Sequence, residues 1–201
     1  MDSFFKRIIR KGHEEYRIEI GFDDNAIMDN SAKFEIEAER RTLPDGNFEK
    51  VILEIDVQFE RNQIVISNKD PQKVLATLSL DTYLEEPGDF EGNGIDLDDE
   101  EKHIFDSFSD EAGEPLEAGI AETMIGSIPT DPFLGCLIKG AVSTLVGQII
   151  RCWNNMRLRS ALSSFREKAR DIYGCLREYA PRMLFTFMYR SGKCVVTCGL
   201  S

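Results

Sequence analysis

An α+β fold follows from three observations on this 201-residue chain. Apolar and charged residues alternate through the first 84 positions, long apolar stretches of helical period fill the last third, and a nearly apolar-free segment lies between them. The predicted architecture is an N-terminal antiparallel β-sheet lobe over 1–84, an acidic connector over 85–117, and a helical hairpin with a terminal β-hairpin over 118–201.

The opening residues place Phe4, Phe5, Ile8 and Ile9 on one side of a short amphipathic helix, with Lys6, Arg7, Arg10 and Lys11 among the rest. Packing on the body is the expected use of that helix, ahead of anchoring to a membrane surface. An apolar pair but no continuous apolar run precedes the bases, so the start does not read as a secretory signal. Strand signals come next. Tyr16, Ile18 and Ile20 alternate with charges, and Phe34, Ile36 and Ala38 do so against Glu35, Glu37 and Glu39. The sequence Leu43-Pro44-Asp45-Gly46-Asn47 reads as a turn, because proline presets φ and glycine accepts positive φ. Beyond it Val51, Leu53, Ile55, Val57 and Phe59 form one face of a strand, and Glu60-Arg61-Asn62-Gln63 leads into Ile64-Val65-Ile66, completing an antiparallel meander. Residues 71–84 fit a helix through Val74 and Leu78, or a further strand through Ala76, Leu78 and Leu80; the strand is preferred.

In the C-terminal third, Thr130-Asp131-Pro132 supplies a cap and a first-turn proline for an apolar helix from Phe133 to Trp153. Leu158, Leu162, Phe165, Ala169, Ile172, Leu176 and Tyr179 then step by four and three along a second helix that Pro181 ends. Arg157, Arg159, Arg166, Lys168 and Arg170 lie off that seam. Residues 184–189 and 194–198 around Arg190-Ser191-Gly192-Lys193 read as a hairpin.

Charge is distributed in three blocks. Residues 1–84 hold 17 acids and 12 bases, residues 85–117 hold 14 acids and one lysine, and residues 118–201 hold 5 acids and 11 bases. The middle block cannot bury enough apolar surface alone to offset its backbone entropy, so it is either a mobile linker or a segment ordered by a partner. A short helix near Glu100 to Phe108, bounded by Gly113 and Pro115, suits the second case.

Within this block, Asp89 to Glu100 has oxygen donors at the first, third and fifth places, glycine at the sixth and glutamate at the twelfth, the spacing of a calcium loop. Asp96 occupies the eighth place, which is normally apolar, and no second loop accompanies it, so a solvated acidic segment is the better reading and no metal or cofactor is expected. Five cysteines, Cys136, Cys152, Cys175, Cys194 and Cys198, form an odd set that reads as reduced thiols in the cytoplasm, with Cys194 and Cys198 as core residues rather than zinc ligands. The two histidines, His13 and His103, read as surface residues. No nucleophile elbow, phosphate loop, dinucleotide fingerprint or paired-histidine metal motif is present, and no catalytic residue is assigned.

The expected function is therefore a non-enzymatic interaction module: an inhibitor, immunity-type or adaptor protein docking a basic protein partner through its acidic segment. Asp96, Asp98, Asp99, Glu100 and Glu101 would supply the long-range attraction, and Ile95, Leu97, Ile104, Phe105 and Phe108 would anchor after docking. A net charge of −12 disfavours nucleic acid despite the basic helix face. A membrane is the alternative partner, with the 133–179 hairpin inserting and the acidic segment masking it beforehand. Residues 133–150 would span about 27 Å as a helix, just short of a hydrocarbon core. An enzyme with a site dispersed in sequence is the third reading, and the seam allows either a dimer or internal packing.

Overall fold

The computed structural model of the chain describes residues 2–22, 31–44, 46, 48–81, 131–156 and 164–198. Six strands, β1 (Asp2–Lys11), β2 (Glu14–Phe22), β3 (Ser31–Thr42), β4 (Phe48–Gln58), β5 (Gln63–Lys69) and β6 (Gln72–Ser79), form an antiparallel sheet in the order of the sequence. Among the described residues three helices follow: α1 (Pro132–Met156), α2 (Phe165–Glu178) and α3 (Ala180–Cys198). The fold is α+β, as the alternating and helical periodicities predict.

The period-2 pattern sets the register. Glu14 to Phe22 pairs with Thr42 to Phe34, which brings Ile18 opposite Ala38 and Ile20 opposite Ile36. Val51, Leu53, Ile55 and Val57 of β4 continue the same face, and Ile64 and Ile66 of β5 extend it. All are buried, because a one-residue slip would carry the whole apolar set to the charged side. Gly46 closes the β3–β4 turn, its N–H donating to the Thr42 carbonyl at 2.9 Å; a Cβ there would lie 2.2 Å from Thr42 Cβ, so only glycine fits. Residues 72–79 form a strand, and Leu78 and Leu80 are buried.

Two predicted elements are corrected. The N-terminal segment is strand β1 rather than a helix. Gly12, with φ of +61°, occupies the tight β1–β2 turn, and a register shift between Ser3 and Phe5 leaves Phe4 as an extra residue in the pairing. That shift lets adjacent phenylalanines both reach the core side. Phe4 meets Tyr173 at 5.8 Å and Phe5 meets Phe187 at 5.6 Å between ring centroids. The consecutive apolar pair that resembles one helix face is a bulge. Ile8 points outward and is 48% exposed.

The terminal β-hairpin is also corrected, since residues 180–198 form helix α3. Met183, Phe185 and Phe187 alternate as in a strand, yet Met183, Phe187 and Ser191 share a helical face and all are buried, with Phe185 and Met188 buried beside it. Pro181 lies just past the end of α2, where it was expected, and in the first turn of α3, where its missing N–H costs nothing. The second predicted helix is described from Phe165 onward; Leu158 and Leu162 of its seam, with Arg157 and Arg159, lie outside the described residues. Its start is fixed by a capping box: Glu167 N–H donates to Ser164 Oγ at 3.3 Å, and Ser164 N–H donates to Glu167 Oε2 at 2.7 Å.

The helices do not stand apart from the sheet. α1 packs on β2 and β3, α2 on β3, and α3 on α1 and β1. The apolar sheet face and all three helices contribute to one hydrophobic cluster. α1 is pinned at both ends, by Phe133 edge-on to Tyr16 at 4.7 Å and by Trp153 stacked on Phe59 at 5.8 Å. The predicted boundaries at 84/85 and 117/118 fall outside the described residues.

Candidate functional site

All ten residues expected to engage a partner, Ile95, Asp96, Leu97, Asp98, Asp99, Glu100, Glu101, Ile104, Phe105 and Phe108, lie outside the described residues, as do the calcium-like sequence and His103. The described residues define the body from which that segment departs at Asp81 and to which it returns at Asp131.

Three polar features mark this body. The first is a junction between sheet and helix. Asp131 caps α1, its Oδ2 accepting from the N–H groups of Phe133 at 3.1 Å and Leu134 at 3.0 Å. The same oxygen accepts from the Tyr16 hydroxyl at 3.3 Å, and Asp131 N–H donates to Glu49 Oε1 at 3.3 Å. Arg40 reaches Glu14 at 3.0 Å and Glu49 at 3.8 Å, and the Thr42 hydroxyl donates to Glu14. The Arg40 hydrogen bonds hold the Glu14 carboxyl below its usual range, and burial together with the Asp131 charge pushes the Tyr16 phenol up to about 12. Every member is used in tying the end of the sheet to the start of α1.

The second is the outward face of the sheet. Glu19 lies directly opposite Glu37, and Glu35 opposite Glu54, pairings that would repel if left alone. Bases bridge them. Arg17 reaches Glu19 at 2.8 Å and Glu39 at 3.6 Å, Lys50 reaches Glu37 at 2.8 Å and Glu39 at 3.4 Å, Lys33 reaches Glu54 at 3.4 Å, and Lys69 pairs with Glu35. Side chains of Glu19, Glu35, Glu37 and Glu39 are 15–21% exposed while those of Lys6, Lys50 and Lys69 are 35–46% exposed, so the bases lie over the acids. Burial raises the Glu37 pKa, and the hydrogen bonds to Lys50 and Glu39 together with the Lys50 and Arg17 charges outweigh it, leaving that carboxyl below its usual value. The result is a charge-compensated lattice, not a field of one sign.

The third lies between α1 and α3. Arg190 donates from Nη1 to Thr144 Oγ1 at 3.0 Å, and that hydroxyl donates in turn to the Gly140 carbonyl at 2.7 Å. Part of the Arg190 side chain reaches the surface, but desolvation of its guanidinium, reinforced by the Arg151 charge, pushes its pKa down to about 10.

Counted over the described residues, the body holds 21 bases and 17 acids, a net charge of +4. Residues 85–117 alone carry −13. Among the described residues no group of three or more His, Cys, Asp or Glu side chains could hold a metal ion, and His13 is exposed in the β1–β2 turn. The expectation of reduced thiols is corrected: Cys152 of α1 and Cys175 of α2 are joined in a disulfide with Cα atoms 6.0 Å apart, and Cys136 is also disulfide-bonded. A spacing of 23 residues carries no pairing signal by itself; the packing of α2 against α1 creates the meeting.

The fold and these sites define an α+β body, a six-stranded antiparallel meander with three helices on its apolar face. Compared with protein-family models, curated proteins and solved structures, the chain matches none.

Proposed function

We propose that the chain is a non-enzymatic protein-interaction module, an inhibitor, immunity-type or adaptor protein, that docks a basic partner protein through its acidic segment. One observation carries the reading: the described body is net +4, whereas residues 85–117, tethered between β6 and α1, carry −13. The long-range attraction for a basic surface is therefore concentrated in one segment. The sheet's outer face contributes little, because its carboxylates are already paired. Asp96, Asp98, Asp99, Glu100 and Glu101 supply the steering, and Ile95, Leu97, Ile104, Phe105 and Phe108 supply the apolar anchors.

The membrane alternative draws on α1, whose length and mean hydropathy of 1.7 suit a span. Against it, 83% of that apolar window is buried within the fold. Location belongs to the same proposal. A cytoplasmic placement rests on reduced thiols, and the disulfide instead supports an oxidising compartment.

The test is capture from native lysate at low and high salt, with the intact chain beside one lacking residues 89–111. A salt-sensitive protein partner lost with the deletion supports the reading and provides the species for kinetics. Recovery of lipid, increased by the deletion, favours insertion.

A further inference from the structure

We infer that the Cys152–Cys175 disulfide is a directional thiol-exchange site, in which Cys175 accepts a small-molecule thiol and Cys152 departs beside the amide of Gln148. The two ends of this bond differ in exposure. Cys152 on α1 is 0% exposed, so a thiol in solution does not reach its sulfur, whereas Cys175 on α2 is only half-buried. Gly174 next to it is exposed and carries no side chain, and a Cβ there would meet nothing within 4 Å. The approach is open on the α2 side alone.

The buried end carries a polar group that the apolar packing of α1 does not require. Gln148 lies one turn before Cys152, is itself buried, and donates from Nε2 to Cys152 Sγ at 3.8 Å. Burial in apolar surroundings disfavours a thiolate, and an N–H already aimed at the sulfur offsets part of that cost as charge develops there. Exchange quickens as the leaving thiolate is stabilised, and exposed disulfides are the labile ones. Exposure thus selects the sulfur that is attacked, and Gln148 favours the one that leaves.

In the first step an incoming thiolate bonds to Cys175 Sγ, the bond to Cys152 Sγ breaks, and its electron pair goes to Cys152, which takes up the proton the thiol gave up. A second thiolate attacks the adduct at the sulfur of the first, releasing Cys175 as a thiol and a small-molecule disulfide. Two thiols are oxidised and one protein disulfide is reduced. Phe133 on Tyr16 and Trp153 on Phe59 still pin α1 when the bond opens, so α2 is the helix that loses its tether.

The test places the intact chain in a buffer of reduced and oxidised glutathione, quenches it in acid and maps its peptides without reduction. Glutathione should be found on Cys175 with Cys152 free; adducts confined to Cys152, shared equally, or absent from both overturn the inference. In Gln148→Met, which removes the donor and keeps an unbranched side chain, reduction of this bond should slow about fivefold, the effect of one hydrogen bond. A merely structural loss would loosen the seam and speed reduction, so a faster or unchanged rate contradicts the part given to Gln148. Cys175→Ser opens this bond alone, and amide hydrogen exchange should then rise in α2 more than in α1; an equal rise contradicts the release of α2. The exchange site rests on the described body, so its failure leaves capture of a basic partner by the acidic segment untouched.

Discussion

The Tyr16 hydroxyl donates to Asp131 Oδ2, the same oxygen that receives the Phe133 and Leu134 amides at the start of α1. A residue of the second strand and the residue that re-enters the body after the acidic segment thus share one acceptor, and the sheet fixes where α1 begins.

Asp131→Ala should cost about 1–2 kcal/mol, the loss of a helix cap, whereas Asp131→Asn should retain most of it. Tyr16→Phe should cost about 1 kcal/mol alone and much less in the Asp131→Ala background, because the pair shares one interaction. Urea unfolding of the four chains measures the coupling; strict additivity would show that the two residues act separately.

Stability should fall at both ends of the pH scale for different reasons. Glu14 has a lowered carboxyl pKa, so its contribution is present above its ordinary value of 4.5 and is lost as pH falls through the lower folded value. Arg40→Met should therefore start acid unfolding at higher pH. Tyr16 behaves oppositely. Its contribution is complete below its ordinary value of 10.0 and is lost as pH rises through about 12. Circular dichroism across both limbs, with Tyr16→Phe flattening only the alkaline one, checks the assignment.

Closing the loop between Cys152 and Cys175, 23 residues apart, should stabilise the fold by about 3 kcal/mol through the unfolded chain. Cys175→Ser should lower the melting temperature, and a reductant should then add less than it does to the unsubstituted chain. Peptide mapping without reduction should recover the two cysteines linked.

Sequence periodicity carried most of the sheet and the two ends of α1. Alternation is legible wherever one face is charged and the other apolar, as from Phe34 to Glu39. Both corrected elements broke that condition. A bulge at Phe4 placed neighbouring side chains on one side of a strand, and α3 is buried on enough of its circumference that Met183, Phe185 and Phe187 mimic alternation. The Ser164-to-Glu167 capping box was visible in the sequence as a serine followed three residues later by glutamate, but the apolar seam running back to Leu158 obscured it. Arg190 was read as a turn residue, and the packing of α3 on α1 instead sets it against Thr144.

The most direct measurement is stopped-flow association of the captured partner with the intact chain and with a chain in which Asp96, Asp98, Asp99, Glu100 and Glu101 are replaced by Asn or Gln. Association should be slower for the neutralised chain and depend much less on ionic strength. Equal rates and equal salt dependence for the two chains would contradict it.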